Sequence, residues 1–147
     1  MIPDDYRQLS FTRRDHGVLL ITLDRPDKYN AADEQMHGEL ARVWRDVDAD
    51  PQTRVAVVTG AGKAFSAGGD LAMVERMAGD YDRVQHMLRE MSDLVYNIVD
   101  CDKPIISAIN GVAVGAGVVV ALLADIAIAA EDAKLGDGHV KLGVAAG

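Results

Sequence analysis

A single cysteine, Cys101, stands among 147 residues. That rules out an internal disulfide, and with no paired histidines the chain offers no ligand spacing for a structural metal. Basic residues are also short, 15 against 23 acidic ones, and the net charge of −8 argues against nonspecific nucleic-acid binding and for solubility. A polyanionic ligand would need a local cradle. Long hydrophobic runs are missing too: Val112 to Ala124 is interrupted by Gly115 and Gly117 and falls short of the roughly 20 residues that a bilayer requires. The opening Met-Ile-Pro-Asp-Asp-Tyr-Arg has neither the basic flank nor the apolar core of a secretory signal. A cytoplasmic location without membrane contact is therefore expected. No linker rich in proline, serine or charge divides the chain, and 49% hydrophobic with 26% charged residues fits one globular domain, residues 1–147.

What is present is a regular alternation of patterns. Phe11 to Asp15 and Val18 to Leu23 are rich in strand formers, and His16-Gly17 between them suits a tight hairpin. From Ala32 to Asp48, Met36, Leu40, Val43 and Val47 recur on one helical face. Arg54 to Thr59 reads as a buried strand closed by Gly60-Ala61-Gly62. Val84, Met87, Leu88, Met91, Leu94, Val95, Ile98 and Val99 mark a second amphipathic helix, stopped at Asp100 and Lys103-Pro104. Ile105 to Ile109 is a strand, Asn110-Gly111 a turn, Val118 to Ala124 a buried helix, and Ile126-Ala127-Ile128 a strand again. The expected class is α/β, built from strand, strand and helix repeated with variations.

Two glycine-containing segments bring bare backbone to exposed turns, Ser66-Ala67-Gly68-Gly69-Asp70 and Gly115-Ala116-Gly117. The second sits where a helix begins, so free amides and the helix dipole point at one spot that attracts an anion. Two donors converging on one oxygen would form an oxyanion hole. Taken singly, such glycines serve equally to allow tight turns and close packing.

Four ordered blocks carry a resemblance. They are Leu23-Asp24-Arg25-Pro26-Asp27-Lys28-Tyr29-Asn30-Ala31; Val57-Val58-Thr59-Gly60 leading to Lys63-Ala64-Phe65-Ser66-Ala67-Gly68-Gly69-Asp70-Leu71; Lys103-Pro104-Ile105-Ile106-Ser107-Ala108-Ile109-Asn110-Gly111 through Gly117; and Ala124-Asp125-Ile126 to Ala133-Lys134-Leu135-Gly136. In order and interval they resemble the crotonase family of enoyl-CoA hydratases and isomerases, across almost the whole chain. The resemblance implies a spiral core of strand-strand-helix turns that lacks the family's usual C-terminal helical part, so that an apolar surface is left exposed or covered by another chain. It implies an acyl-CoA substrate, no cofactor beyond the coenzyme A of that substrate, and a homotrimer or hexamer. It further implies that the Gly69 and Ala116 amides hold the thioester oxygen and that Asp70 holds its loop. Adenine and pantetheine would then lie near Lys28, Tyr29, Ala31, Ala67, Gly68 and Leu71.

The departure concerns acid and base. Hydratases of the family use two glutamates, and at the matching positions this chain has Val119 and His139. Valine cannot transfer a proton. Histidine titrates near neutrality, at about 6.5, so His139 reads either as a general base or as a polar loop residue beside Asp137 and Gly138. Asp137 is a weaker candidate for the base and reads rather as a turn residue. His16, His37 and His86 read as surface or turn positions, Trp44, Met87 and Met91 as packing, and Asp46, Asp48 and Asp50 as a solvated helix end.

Three functions follow. The first is an acyl-CoA enzyme passing through a thioester enolate or oxyanion, a hydratase by name, with isomerisation, hydrolysis and decarboxylation open. The second is an acyl-CoA binding protein without chemistry, motivated by Val119. The third, a dinucleotide-binding domain, is weakened because Gly115-x-Gly117 has no third glycine at Val120.

Overall fold

The computed structural model describes residues 1–138. Strands β1 (Leu9–Arg14) and β2 (Val18–Leu23) pair antiparallel, with Arg14 opposite Val18. The loop between them turns through His16 and Gly17, both at positive φ (63° and 82°). Side chains alternate along β2, so Leu19, Ile21 and Leu23 enter the core. Helix α1 (Glu34–Ala49) starts at Asp33, whose side chain accepts from the Met36 amide, and it buries Met36, Leu40, Val43, Trp44 and Val47. Trp44 is packing, as expected.

From there the chain winds in a spiral whose turns each give one strand to a large sheet and one to a small sheet. Strands β3 (Val55–Gly60), β5 (Ile105–Ile109) and β7 (Ile126–Ala129) extend the large sheet in parallel, in the order β1, β2, β3, β5, β7. Their partners β4 (Ala64–Ser66), β6 (Val112–Val114) and β8 (Leu135–Gly136) form the small parallel sheet. Helices α2 (Leu71–Met77), α3 (Tyr81–Val99) and α4 (Ala116–Leu123) fill the crossovers. The α/β class and the strand-strand-helix spiral expected from the sequence are what the chain adopts.

Several local expectations need correction. The small sheet was not anticipated: β4 was read into a glycine loop and β6 into an apolar run, because three-residue strands carry too little periodicity to read. Helix α2 also escaped notice, because seven residues hold too few periods to show a face. Helix α4 buries Gly117, Val120 and Ala121 but leaves Leu122 and Leu123 exposed. Ile126 and Ile128 on the edge strand β7 are exposed as well, so exposed apolar side chains are present, as was expected.

His37 is buried, not superficial, since its place on α1 falls under α3; its Nδ1 lies 2.7 Å from Glu90 Oε2. His86 and His16 are exposed as expected. Met87 and Met91 are only half-buried. Nor is the α1 end simply solvated, because Asp46 accepts from the Tyr6 hydroxyl and Asp50 is wholly buried.

Glu39, buried on α1, ties the amino-terminal segment to this frame. Its carboxylate accepts the amides of Arg7 (2.6 Å), Gln8 (2.9 Å) and Leu9 (3.0 Å). In Glu39→Ala the Arg7 and Gln8 amides can turn to water, whereas the buried Leu9 amide cannot. An unfolding free energy lower by about 2 kcal/mol is expected from urea titration, within the cost of orphaning a buried donor; a change below about 0.5 kcal/mol would refute this assignment.

Candidate active site

The first glycine segment leaves β4 at Ser66, a buried residue whose Oγ donates to the Asn30 carbonyl at 2.8 Å and accepts from the Gly68 amide at 3.2 Å. Gly68 then takes a φ of +89°. A Cβ there would lie 2.8 Å from the Val114 carbonyl oxygen and 3.6 Å from the Gly115 Cα, so only glycine fits. Next, Gly69 makes a single parallel bridge with Ala32: the Ala32 amide donates to the Gly68 carbonyl (2.7 Å), and the Asp70 amide donates to the Ala32 carbonyl (2.8 Å). In that geometry the bonds are made by the neighbours of Gly69, and its own N–H turns away from Ala32. Gly69 is exposed.

The second segment meets the first. Gly115, at φ 54°, caps α4, and its carbonyl accepts from Val118 and Val119. Ala116 is the first helical residue, so its amide is one of the N–H groups that a helix start leaves without an intrahelical partner. Gly117 lies so close to β4 that a Cβ would come within 2.6 Å of the Ser66 carbonyl oxygen. The turn carrying Gly69 and the helix start carrying Ala116 are thus packed one against the other.

Asp70 caps α2 through the Ala72 amide (2.9 Å) and pairs with Arg25 (2.7 Å). The Arg25 guanidinium outweighs partial burial and holds the Asp70 carboxyl below the usual carboxylate range. Ahead of it, the 24–31 loop makes a 3-10 turn at Pro26–Lys28, then passes Tyr29 and Asn30 in the left-handed region (φ 50° and 55°). Asn30 is buried and donates from Nδ2 to the carbonyls of Ala61 (2.8 Å) and Ala64 (2.9 Å). The Ala67 amide donates to the Tyr29 carbonyl at 2.9 Å. That places the two loops side by side, with Lys28, Tyr29, Ala67 and Leu71 exposed and Ala31 half-buried.

Val119 sits one turn into α4, half-buried against the core. His139 lies outside the described residues, and Asp137 is exposed. Two concave regions, of about 100 Å³ between α1, α2 and α3 and about 270 Å³ between α1 and α3, share no residue with these turns, which form an open face. Among the described residues no group of three or more His, Cys, Asp or Glu side chains is arranged to hold a metal, and no helix is long and apolar enough to cross a membrane. Arg25 and Asn30 lie in the first sequence block but were given no role there. Their distant side-chain partners, Ala61 and Ala64 for Asn30 and Asp70 for Arg25, lie 31 to 45 residues away, so nothing in the local spacing marks them.

Residues 13–147 match the family model described as enoyl-CoA hydratase/isomerase. The chain belongs to this family. It is 39% identical over 130 residues to the 1,2-epoxyphenylacetyl-CoA isomerase of Escherichia coli, covering 87% of this chain and 50% of that protein. It is 43% identical over 139 residues to the carnitinyl-CoA dehydratase of Citrobacter koseri, covering 92% and 51%. Among solved structures, an enoyl-CoA hydratase/isomerase from Mycobacterium paratuberculosis superposes with a TM-score of 0.90 at 40% identity, covering 95% of this chain and 55% of the other. An enoyl-CoA hydratase from Shewanella pealeana gives 0.88 at 33%, covering 95% and 53%. The chain spans about half the length of the curated relatives it matches. As an enoyl-CoA hydratase/isomerase family member it has the crotonase fold, and the parallel spiral described above is the shared part.

Proposed function

We propose that this chain carries the acyl-CoA-processing site of an enzyme of the enoyl-CoA hydratase/isomerase type, in which the Gly69 and Ala116 amides stabilise a thioester enolate. The observation that carries this reading is the packing of Gly68 on Val114 and Gly115 and of Gly117 on Ser66, which sets the two donor-bearing segments against each other. As charge moves onto the thioester oxygen, two preorganised N–H groups and the start of α4 lower its energy with no reorganisation. Coenzyme A enters as part of the substrate, along Lys28, Tyr29, Ala31, Ala67, Gly68, Asp70 and Leu71, and no other cofactor is invoked. The working form in this reading is a cytoplasmic homo-oligomer, a trimer or hexamer as the family resemblance implies, and the exposed apolar residues on α4 and β7 leave a surface for another chain or segment to cover.

Val119 and His139 stand at the positions of the two hydratase glutamates, so the acid and base differ from a two-glutamate hydratase. His139 is the general base in this reading. The test is mass spectrometry of crotonyl-CoA after incubation with the protein and with His139→Ala. A hydrated ester formed only by the parent chain supports histidine catalysis; free coenzyme A instead identifies a thioester hydrolase. Val119 favours a second reading, a protein that binds acyl-CoA without chemistry. Coenzyme A binding with every tested thioester left intact would select it, and NAD binding without coenzyme A binding would reject both.

A further inference from the structure

Arg25 ties together parts of the chain that the proposed chemistry needs in register. Its backbone closes the 25–30 loop, since its N–H donates to Asn30 Oδ1 (2.9 Å) and its carbonyl accepts from the amides of Lys28 (3.0 Å) and Asn30 (2.9 Å). Its guanidinium leaves that loop. Nη1 lies 2.7 Å from Asp70 Oδ2 and 2.7 Å from the Ala31 carbonyl, and Nη2 lies 3.3 Å from Asp33 Oδ2.

Both aspartates are helix caps. Asp33 uses Oδ1 for the Met36 amide of α1, and Asp70 uses Oδ1 for the Ala72 amide of α2. Each therefore spends one oxygen on its own helix and presents the other to the same arginine. Ser66 and Ala67 are held to the Asn30 and Tyr29 carbonyls, but beyond them the backbone link between Ala32 and Gly69 is an isolated bridge with no neighbouring ladder, and this fork stands beside it. Three half-buried charged side chains, 16–22% exposed, stand next to that bridge, where charge-assisted hydrogen bonds resist competition from water.

We infer that Arg25 is a positioning residue, which locks the caps of α1 and α2 in one frame and so sets the direction of the Gly69 amide relative to the 28–31 loop. The inference rests on the role proposed above for Gly69. A planar fork is required, because the ammonium of lysine is a point charge without the guanidinium's paired donors. Arg25→Lys should restore only part of what Arg25→Met loses.

Two measurements on the full chain decide it. Amide hydrogen exchange should become at least about tenfold faster at Ala32, Ala67 and Asp70 in Arg25→Met, with Ile21 and Val58 in the large sheet unchanged, as local opening predicts. Unchanged exchange, or equal acceleration in the sheet, overturns the inference. In turnover, Arg25→Met should lower kcat about tenfold alone and in an Ala116→Pro background, yet add nothing in Gly69→Pro, where the positioned donor is already gone. Multiplying losses in the Gly69→Pro background overturn it as well. Should Gly69→Pro itself leave kcat intact, the oxyanion reading fails, and hydrogen exchange alone decides whether Arg25 frames the loops.

Discussion

An Ala116→Pro chain is expected to lose turnover about 100- to 1,000-fold while it still folds and binds coenzyme A. The size follows from removing one donor from an oxyanion site, about 2.7–4 kcal/mol of transition-state stabilisation. The selectivity follows from position. Ala116 opens α4, and proline is favoured at the first helical residue, where its missing N–H has no intrahelical acceptor to lose. The preceding residue must tolerate a following proline, which favours the extended region. Gly115, at φ 54° and ψ −125°, holds the mirror image of that region, which glycine adopts without penalty. Thermal unfolding should therefore move little. Turnover equal to the parent at an unchanged melting temperature would remove Ala116 from the chemistry. A loss of coenzyme A binding together with turnover would place it in substrate binding instead.

The resemblance blocks identified the fold because they are tied to turns. Gly60, Gly68, Asn110 and Gly117 sit where successive coils of the spiral touch; Asn110 Nδ2, for example, donates to the Gly60 carbonyl at 2.9 Å. Local chemistry at fixed intervals is legible in one dimension. Helices α1 and α3 were legible for the same reason, since 16 and 19 residues hold enough periods to show a face. Strands β4, β6 and β8 are two or three residues long and show none. Their pairing is a property of the spiral as a whole.

Burial of polar residues was the other blind spot. His37, Glu39 and Asp50 occupy inward positions on α1 or at its end, and each is matched by partners at least 30 residues away: Glu90, the Arg7 to Leu9 amides, and Arg13. A polar residue on a helix reads as solvated until its distant partner is known. The candidate site shared this limit in part. Gly69 and Ala116 could be named from their turns, but the contact that makes them neighbours, Gly68 on Gly115, joins residues 47 positions apart in sequence.

Asp50 yields the largest expected effect on stability. It follows α1 and is wholly buried, with Oδ2 accepting from Arg13 Nη2 at 2.9 Å and from the Thr53 hydroxyl at 2.5 Å. Burial pushes its carboxyl up, but the Thr53 and Arg13 hydrogen bonds outweigh it and hold the group well below the usual carboxylate range. Removing one member of a buried ion pair costs about 3–5 kcal/mol. Arg13 is 39% exposed and can turn to water, so Asp50→Ala is expected at the low end, about 3 kcal/mol by urea unfolding at pH 7. The pH dependence has a definite sign. A carboxyl with a lowered folded pKa stabilises above its unfolded value, about 3.9, and that contribution is lost as pH falls through the folded one. The advantage of the parent chain over Asp50→Asn should then be full at pH 7 and shrink steadily below about pH 4. A difference between these two chains that stays constant from pH 7 to pH 3 would mean that the Asp50 carboxylate charge contributes nothing to the fold.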